Sequence, residues 1–153
     1  MSRRVSRAVR VCGRDYDPQR PSGRANRWNA LHERVLYLSE HFGAALLERL
    51  VHAGGTMPPP AHAAWLTIPD HVQVETVRAA DLPAGWDDPD DASAARRLGS
   101  AWYRSARTAI LVVPSLPGRP FESNVVLNTT HPDAAALHWG APAEVPWDSR
   151  LFT

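Results

Sequence analysis

The stretch VLYLSEHFGAALLERLVHA, residues 35–53, changes from a strand pattern to a helix pattern partway along its length. Its opening VLYLS is rich in strand-favouring side chains, and Ser39 is a residue type that can cap a following helix. The apolar residues that share one helical stripe are Phe42, Leu46 and Leu50. Glycines follow at residues 54 and 55, where helices commonly end. The stretch therefore predicts a strand, a cap at Ser39 and a helix that ends near Ala53.

Short strand patterns lie on both sides of this stretch, separated by Pro-rich and Gly-rich connectors. They are RAVRV, AAWLTIP, HVQVETV, TAILVVPS, SNVVLN, AALHW and EVPWD. A second helical pattern, ASAARRLGSAWYRSA, has its apolar spacing at Leu98 and Trp102. We expect one α+β domain over residues 1–153, with mixed sheets of six to eight short strands and two principal helices.

The composition indicates an ordinary globular chain, with 44% apolar and 22% charged residues. No apolar run approaches the roughly 20 residues of a membrane-spanning helix, and the arginine-rich start has no apolar stretch behind it. We therefore expect a cytoplasmic protein that does not enter the membrane. The single cysteine, Cys12, is expected to be a buried structural thiol, and the histidines lack the spacing of metal ligands, so no metal site is predicted.

Positive charge is concentrated at the start of the chain. Residues 1–27 carry a net charge of +6 and the remainder −5, and every basic residue is arginine. The guanidinium group grips phosphate with two parallel hydrogen bonds, so the RANRWN segment, residues 24–29, suggests a site for a phosphate-bearing ligand or for nucleic acid. The alternative is a solvated basic strand and loop.

Known short motifs are absent, and a few polar residues stand out among apolar neighbours. The sequence has neither a dinucleotide-binding glycine pattern nor a phosphate-binding P-loop. Tyr37 interrupts VLYLS, Glu48 lies within AALLERLV, and Ser115 closes AILVVPS. Each also has an ordinary structural explanation, as a strand tyrosine, a solvated helix glutamate paired with Arg49 or His52, and a turn serine.

The order of motifs along the chain resembles the RES-domain family, the toxin half of bacterial toxin–antitoxin pairs. The motifs are R-x-N-RWN, VLYLSE, ALLERLVH, WLTIP, LP-x-GW, LG-x-x-W, LVVPS, E-x-N-x-x-LN-x-x-HP and W-D-S-RL. They extend from about residue 20 to residue 151. The family usually has two glycines before its RWN, where this chain has Ala25 and Asn26. The resemblance implies a fold like that of the diphtheria-toxin-like ADP-ribosyltransferases and a reaction that consumes NAD+.

The resemblance also implies roles for individual residues. The family's arginine, glutamate and serine fall on Arg27, Glu48 and Ser115, its aromatic residue on Tyr37, and its asparagine on Asn124. Glu48 would stabilise the positive charge that develops on ribose as nicotinamide leaves, with Arg27 and Tyr37 also catalytic.

Substrate binding would involve Arg27, Trp28, Tyr37, Ser115 and Asn124. Arg27, helped by Arg24, would hold the pyrophosphate, with Trp28 as its apolar anchor, and Tyr37 would stack on nicotinamide. Ser115 and Asn124 would contact ribose or carboxamide, although Ser123, beside Asn124, is a second candidate serine.

Several questions stay open at the level of sequence. Water or phosphate as acceptor would deplete cellular NAD+, whereas a protein acceptor, such as an enzyme of nucleotide biosynthesis, would make the chain a mono-ADP-ribosyltransferase. The resemblance implies a cognate Xre-like antitoxin with a helix-turn-helix and a toxin-binding region, for which the basic segment offers a contact surface. More distant alternatives are a nucleic-acid-binding module and an inactive antitoxin-binding protein.

Overall fold

A computed structural model describes residues 4–153, so that Arg3 of the basic segment lies outside the described residues. The strands are β1 Arg7–Gly13, β2 Val35–Ser39, β3 Ala61–Thr67, β4 Val74–Thr76, β5 Ile110–Pro114, β6 Ser123–Asn128, β7 His138–Trp139 and β8 Ala143–Val145. The α-helices are α1 Phe42–Ala53 and α2 Ser93–Ser105, and short 3-10 turns occupy Ala79–Asp81, Pro132–Ala136 and Ser149–Phe152. The predicted α+β class with two principal helices is confirmed.

The strands form one mixed sheet in the order β4-β5-β6-β2-β1-β3-β7, with β8 also paired to β3. The β4–β5 pair is parallel, and the other pairs are antiparallel. The connection between the neighbouring strands β1 and β2 is long and consists of the polar loop that carries RANRWN. That loop is thereby placed at the middle of the sheet.

The sheet is divided at its centre, between β1 and β2. Strand β1 pairs with β3 from Arg7 to Gly13, and β2 pairs with β6 along its whole length. Between β1 and β2, by contrast, the register in the described chain consists of Val9 opposite Ser39. Beyond that point the Tyr37 carbonyl oxygen accepts a hydrogen bond from Arg10 Nη1, at 3.3 Å, instead of one from the backbone of β1. We call this feature the central split.

The packing of the two sheet faces explains where the central split opens. On one face a continuous apolar cluster extends across β1, β2, β3, β5 and β6. On the other face the core consists of two clusters. One contains Trp102 of α2 with Leu111 and Val126, and the other contains Ala45 of α1 with Val9 and Ala63. Both helices therefore cover the same face of the sheet, and the central split lies between the cores beneath them.

Helix α2 packs tightly against the RWN segment through a glycine. A Cβ atom added to Gly99 would overlap the carbonyl oxygen of Trp28, which is itself buried. Only a residue without a side chain permits this approach, because interiors are close-packed and a backbone carbonyl cannot move aside cheaply. Gly99 thus fixes the distance between α2 and the loop that carries Arg27.

We expect Gly99→Ala to lower the free energy of unfolding by about 1–3 kcal/mol, the usual cost of overpacking a core. The matched control is Gly43→Ala in α1, where an added Cβ would have no neighbour within 4 Å. That substitution should be neutral or stabilising by up to about 1 kcal/mol, because alanine favours helices. Urea denaturation measures both, and equal effects of the two substitutions would contradict the packing of α2 on Trp28.

Candidate active site

The carboxylate of Glu48 is held by two hydrogen bonds to one of its oxygens. Ser115 Oγ donates to Glu48 Oε1 at 3.0 Å, and Asn124 Nδ2 donates to the same atom at 2.8 Å. Among residues 4–153 the structure records no donor to Oε2. Glu48 is therefore fixed in orientation through one oxygen, and the second oxygen is available to a ligand in the cleft that Glu48 lines.

Ser39 orients the asparagine that holds Glu48. Ser39 and Asn124 are opposite each other in the β2–β6 register, and Ser39 Oγ donates to Asn124 Oδ1 at 3.2 Å. With its oxygen engaged, the Asn124 amide directs its NH₂ group toward Glu48. The predicted helix cap at Ser39 is wrong: Ser39 is the last residue of β2, and α1 begins after His41 with no side-chain cap bond. The Ser39 hydroxyl group instead donates to Asn124 on the neighbouring strand β6.

Ser115 supports Glu48 from a turn behind the cleft. Its side chain is 1% exposed, and its Oγ accepts a hydrogen bond from the Gly118 backbone at 3.1 Å while donating to Glu48. Ser115 is not among the residues that line the cleft, although Pro114 and Leu116 on either side are. The neighbouring candidate, Ser123, is opposite Pro114 in the sheet and makes no recorded contact with Glu48. A direct contact between Ser115 and a ligand stays a prediction.

Tyr37 ties the RWN segment to β2 through its hydroxyl group. Tyr37 Oη donates to Asn29 Oδ1 at 2.5 Å and accepts from the Trp28 backbone N–H at 3.2 Å. Burial raises the pKa of Tyr37, so the phenol stays neutral and keeps both bonds. Asn29 is itself buried, and its NH₂ group donates to the Arg24 and Ala30 carbonyls. Tyr37 lines the cleft, as the stacking prediction requires.

Arg27 lines the cleft but uses its guanidinium group to hold another loop. Nη1 donates to the Trp86 carbonyl oxygen and Nη2 to the Asp88 carbonyl oxygen, each at 2.9 Å. The Trp28 ring packs against Trp86, with centroids 6.2 Å apart. The RWN segment therefore holds residues 81–90, which we call the acidic loop and whose Pro89 lines the cleft. Direct binding of a phosphate by Arg27 remains a prediction.

The residues that replace the family's paired glycines fit the backbone without strain. Positive φ angles among described non-glycine residues occur at His32 and Ala106, so neither Ala25 nor Asn26 occupies the region that favours glycine. Asn26 forms an isolated antiparallel bridge with Asn29. Side chains are thus tolerated at both positions in this chain.

These residues surround a cleft of about 680 Å³ at the central split. This size falls within the range of sites for small organic ligands. The sequence-predicted residues that line it are Arg24, Arg27, Trp28, Tyr37, Glu48 and Asn124. Sequence reasoning missed Arg10, Ser39 and Arg49, which also line it. The one signal for Arg10 was a charged residue inside the otherwise apolar strand AVRV, whereas Arg49 resembled an ordinary surface arginine.

A second groove, of about 590 Å³, lies along Arg4, Asp70 and Glu75, and it contains none of the predicted site residues. Within the part of the chain that is described, no group of His, Cys, Asp or Glu side chains has the arrangement of a metal site, and no helix is long and apolar enough to cross a membrane.

Fold and site together define a small α+β protein in which a helix carboxylate is held beside an arginine-lined cleft at a division in the sheet. The chain belongs to the RES-domain family, whose model matches residues 7–148. This match confirms the resemblance and extends it toward the start of the chain, so that β1 is included.

Similar proteins are consistent with this assignment. The chain is 34% identical over 129 residues to a Sphingobium sp. protein named Prs ADP-ribosylating toxin, covering 82% of this chain and 80% of that protein. It is 31% identical over 103 residues to a Photorhabdus laumondii protein named Toxin Res, covering 67% and 65%. The fold is similar to that of a chain in the crystal structure of the M. tuberculosis MbcT–MbcA toxin–antitoxin complex. That similarity has a TM-score of 0.75 and 18% identity over 92% of this chain and 84% of the other.

Replacing Tyr37 with Phe should lower the free energy of unfolding by about 1–3 kcal/mol, because the buried Asn29 oxygen and the Trp28 N–H each lose their partner. The control is Tyr16→Phe, since the Tyr16 side chain is 71% exposed, and its change should stay below about 0.5 kcal/mol. Both values come from urea denaturation. A Tyr37→Phe variant as stable as the control would show that the hydroxyl network does not hold the RWN segment.

Proposed function

We propose that this chain is the toxin of a bacterial toxin–antitoxin pair and that it cleaves the bond between nicotinamide and ribose in NAD+. The observation that carries the proposal is the fixed Glu48 carboxylate in the cleft, with one oxygen held by Ser115 and Asn124. Membership of the RES-domain family and two relatives that are named toxins support it.

The chemistry of the reaction explains why a carboxylate is needed. Nicotinamide leaves as a neutral molecule from a cationic ring nitrogen, so positive charge moves to the ribose in the transition state. Glu48 stabilises that charge electrostatically, and its free oxygen can accept hydrogen bonds from ribose hydroxyl groups. Because Ser115 and Asn124 already hold the other oxygen, the carboxylate does not have to reorient during the reaction, which is the basis of preorganised catalysis.

The remaining site residues bind and orient NAD+. Tyr37 presents its ring for stacking on nicotinamide, and Trp28 supports the segment from its buried position. Arg27 holds the acidic loop beside the cleft and adds positive charge to the cleft wall near the phosphates of NAD+. Ser115 acts mainly through Glu48, and Asn124 contacts both Glu48 and the cleft. In the same proposal the fold is related to the diphtheria-toxin-like ADP-ribosyltransferases.

The partner in this proposal is a cognate antitoxin of the Xre-like type, with a helix-turn-helix and a toxin-binding region. A similar fold occurs in a structure described as a toxin–antitoxin complex, which supports an antitoxin partner. An enzyme that consumes NAD+ must be inhibited in its own cell. Occupation of the arginine-lined cleft by an acidic segment of the partner would achieve this directly.

The acceptor of the ADP-ribosyl group distinguishes two versions of the function. Transfer to water or phosphate gives net NAD+ depletion, which is the version that we favour. Transfer to a protein, such as an enzyme of nucleotide biosynthesis, is the second candidate, because a relative at 34% identity is named an ADP-ribosylating toxin. Incubation of purified protein with NAD+, with and without phosphate, separates the first two acceptors by product mass. Addition of a bacterial lysate and a labelled NAD+ reveals the third.

Glu48→Gln should lower NAD+ cleavage by about a hundredfold or more, near 3 kcal/mol, with little change in NAD+ affinity. Glutamine keeps an oxygen acceptor for Ser115 and Asn124 but removes the charge, so the fold should be retained. Single-turnover cleavage and the melting temperature are measured on the same preparation, and expression in bacteria should lower cellular NAD+ and stop growth only with Glu48 present.

The control for Glu48→Gln is Glu144→Gln. Glu144 lies in β8, and its exposed carboxylate is paired with Arg14. Cleavage by the control should equal that of the unchanged protein. If the Glu48 variant also cleaves NAD+ at the normal rate while remaining folded, Glu48 is only a helix-surface residue and the catalytic assignment is wrong.

Arg27→Lys tests the role of the loop that Arg27 holds. Lysine keeps the charge but cannot fork onto the Trp86 and Asp88 carbonyls together, so NAD+ binding should weaken by about 1.5–3 kcal/mol. The control is Arg20→Lys, which changes an exposed arginine in the β1–β2 loop that also contains Arg27. This variant should bind NAD+ normally. Calorimetric titration gives both affinities. Unchanged affinity in Arg27→Lys would show that the loop held by Arg27 does not contribute to NAD+ binding.

A further inference from the structure

Two arginines that line the cleft have solvent-shielded donor groups without partners. They are Arg10 in β1 and Arg49 in α1, and in each the Nε–H group has no hydrogen-bond acceptor among the described residues. Buried guanidinium donors are normally satisfied, because a donor that is removed from water without a new acceptor is unfavourable, and more so when it is charged. Both arginines line the same cleft as Glu48.

Neither of these two arginines has an ion-pair partner among the described residues. The ion pairs recorded in residues 4–153 involve other arginines and His41. The Cys12 side chain interacts with Arg10, and the charge of Asp17 acts on Arg10 from beyond ion-pair distance. Burial raises the pKa of the Cys12 thiol, so the thiol stays uncharged and does not neutralise Arg10. Burial lowers the pKa of Arg10, and the positive charge of Arg49 also acts in that direction. The two like charges are therefore close enough to repel each other.

Such an arrangement is costly for a protein without a ligand. Two partly buried arginines whose Nε–H groups lack acceptors are unfavourable in a fold without a ligand, and residues of this kind are expected at functional sites. An anion with two charged groups would satisfy both guanidinium groups and remove their repulsion. A diphosphate has this form, and planar guanidinium groups bind phosphate oxygens through paired hydrogen bonds.

Arg49 and Glu48 are consecutive residues of α1, and both line the cleft. In NAD+ the ribose that carries nicotinamide is joined to the diphosphate through a single methylene group. A residue that acts on this ribose therefore needs a phosphate-binding neighbour, and Arg49 directly follows Glu48 in α1. Arg10 approaches from the central split, where its Nη1 group donates to the Tyr37 carbonyl.

We propose that Arg10 and Arg49 form the diphosphate-binding site of the cleft. The inference rests on the proposed function for the identity of its ligand, a dinucleotide, but it assigns the diphosphate to residues other than Arg27 and Arg24. Arg27 is then a positioning residue that holds the acidic loop, since both of its Nη groups already donate to backbone carbonyls.

The test is a calorimetric titration of ADP-ribose and of inorganic pyrophosphate into the unchanged protein and into Arg49→Met and Arg10→Met. Each variant should bind both probes about tenfold to a hundredfold more weakly, the size of a lost charged hydrogen bond. The control is Arg97→Met, which removes the same charge from an exposed position in α2 and should bind within about twofold of normal.

Melting temperature separates a ligand-binding role from a structural one. If the arginines serve the ligand, Arg49→Met should melt at the same or a higher temperature than the unchanged protein, because it removes a buried orphaned donor. A structural role would lower the melting temperature and leave ADP-ribose affinity unchanged in the folded fraction. Arg49→Lys provides a second variant that keeps the charge and loses the fork, with an expected weakening of about tenfold.

Failure of this proposal can be told apart from failure of the proposed function. Normal binding of ADP-ribose and pyrophosphate by both Met variants would overturn the diphosphate site, even where NAD+ is cleaved. Absence of NAD+ cleavage by the unchanged protein would overturn the proposed function, while the binding titrations would still decide the arginines. Where cleavage occurs, Arg49→Met should raise the KM for NAD+ but not for nicotinamide riboside, which has the same scissile bond and no phosphate.

Discussion

The incomplete pairing of β1 with β2 is the constraint on which the site depends. These strands are neighbours at the centre of the sheet, yet their described register is a single pair, Val9 with Ser39. A continuous apolar core on the opposite face keeps the two halves of the sheet together. On the functional face the core is divided between α1 and α2, so that a cleft can open without exposing a large apolar surface. The position of the cleft follows from this division.

Polar contacts from several elements meet at the central split. Glu48 belongs to α1, but its carboxylate is held by Ser115, after β5, and by Asn124 in β6. The network thus connects the half of the structure beneath α1 to strands of the other half. Such contacts rigidify a site only when each member is satisfied, and here Ser39 completes the set by fixing the Asn124 amide. The orientation of the Glu48 carboxylate and the joining of the two halves therefore rest on the same hydrogen bonds.

Local sequence patterns predicted the elements well, because strand alternation, helical spacing and glycine ends are local properties. The turn from VLYLS into α1 was predicted to within a few residues, and the second helix was found through Leu98 and Trp102. The Ser39 cap was wrong because a serine at a strand end has two possible partners, the helix backbone and a residue across the sheet. Only the register of β2 with β6, a long-range feature, selects Asn124. Arg10 and Arg49 were missed for a related reason: the lack of a partner for a guanidinium group is a property of the folded surroundings.

The three residue types that give the family its name have different physical environments in this chain. Glu48 lines the cleft with one oxygen available, whereas Ser115 is buried behind it and donates to that carboxylate. Arg27 lines the cleft, but both of its Nη groups hold the backbone of the loop at Trp86 and Asp88. A motif identified by residue type therefore combines one group that can meet a substrate with two that hold other parts of the protein in place. Because the Nη groups of Arg27 are occupied in this way, the proposed diphosphate site uses Arg10 and Arg49, whose Nε–H groups have no acceptor among the described residues.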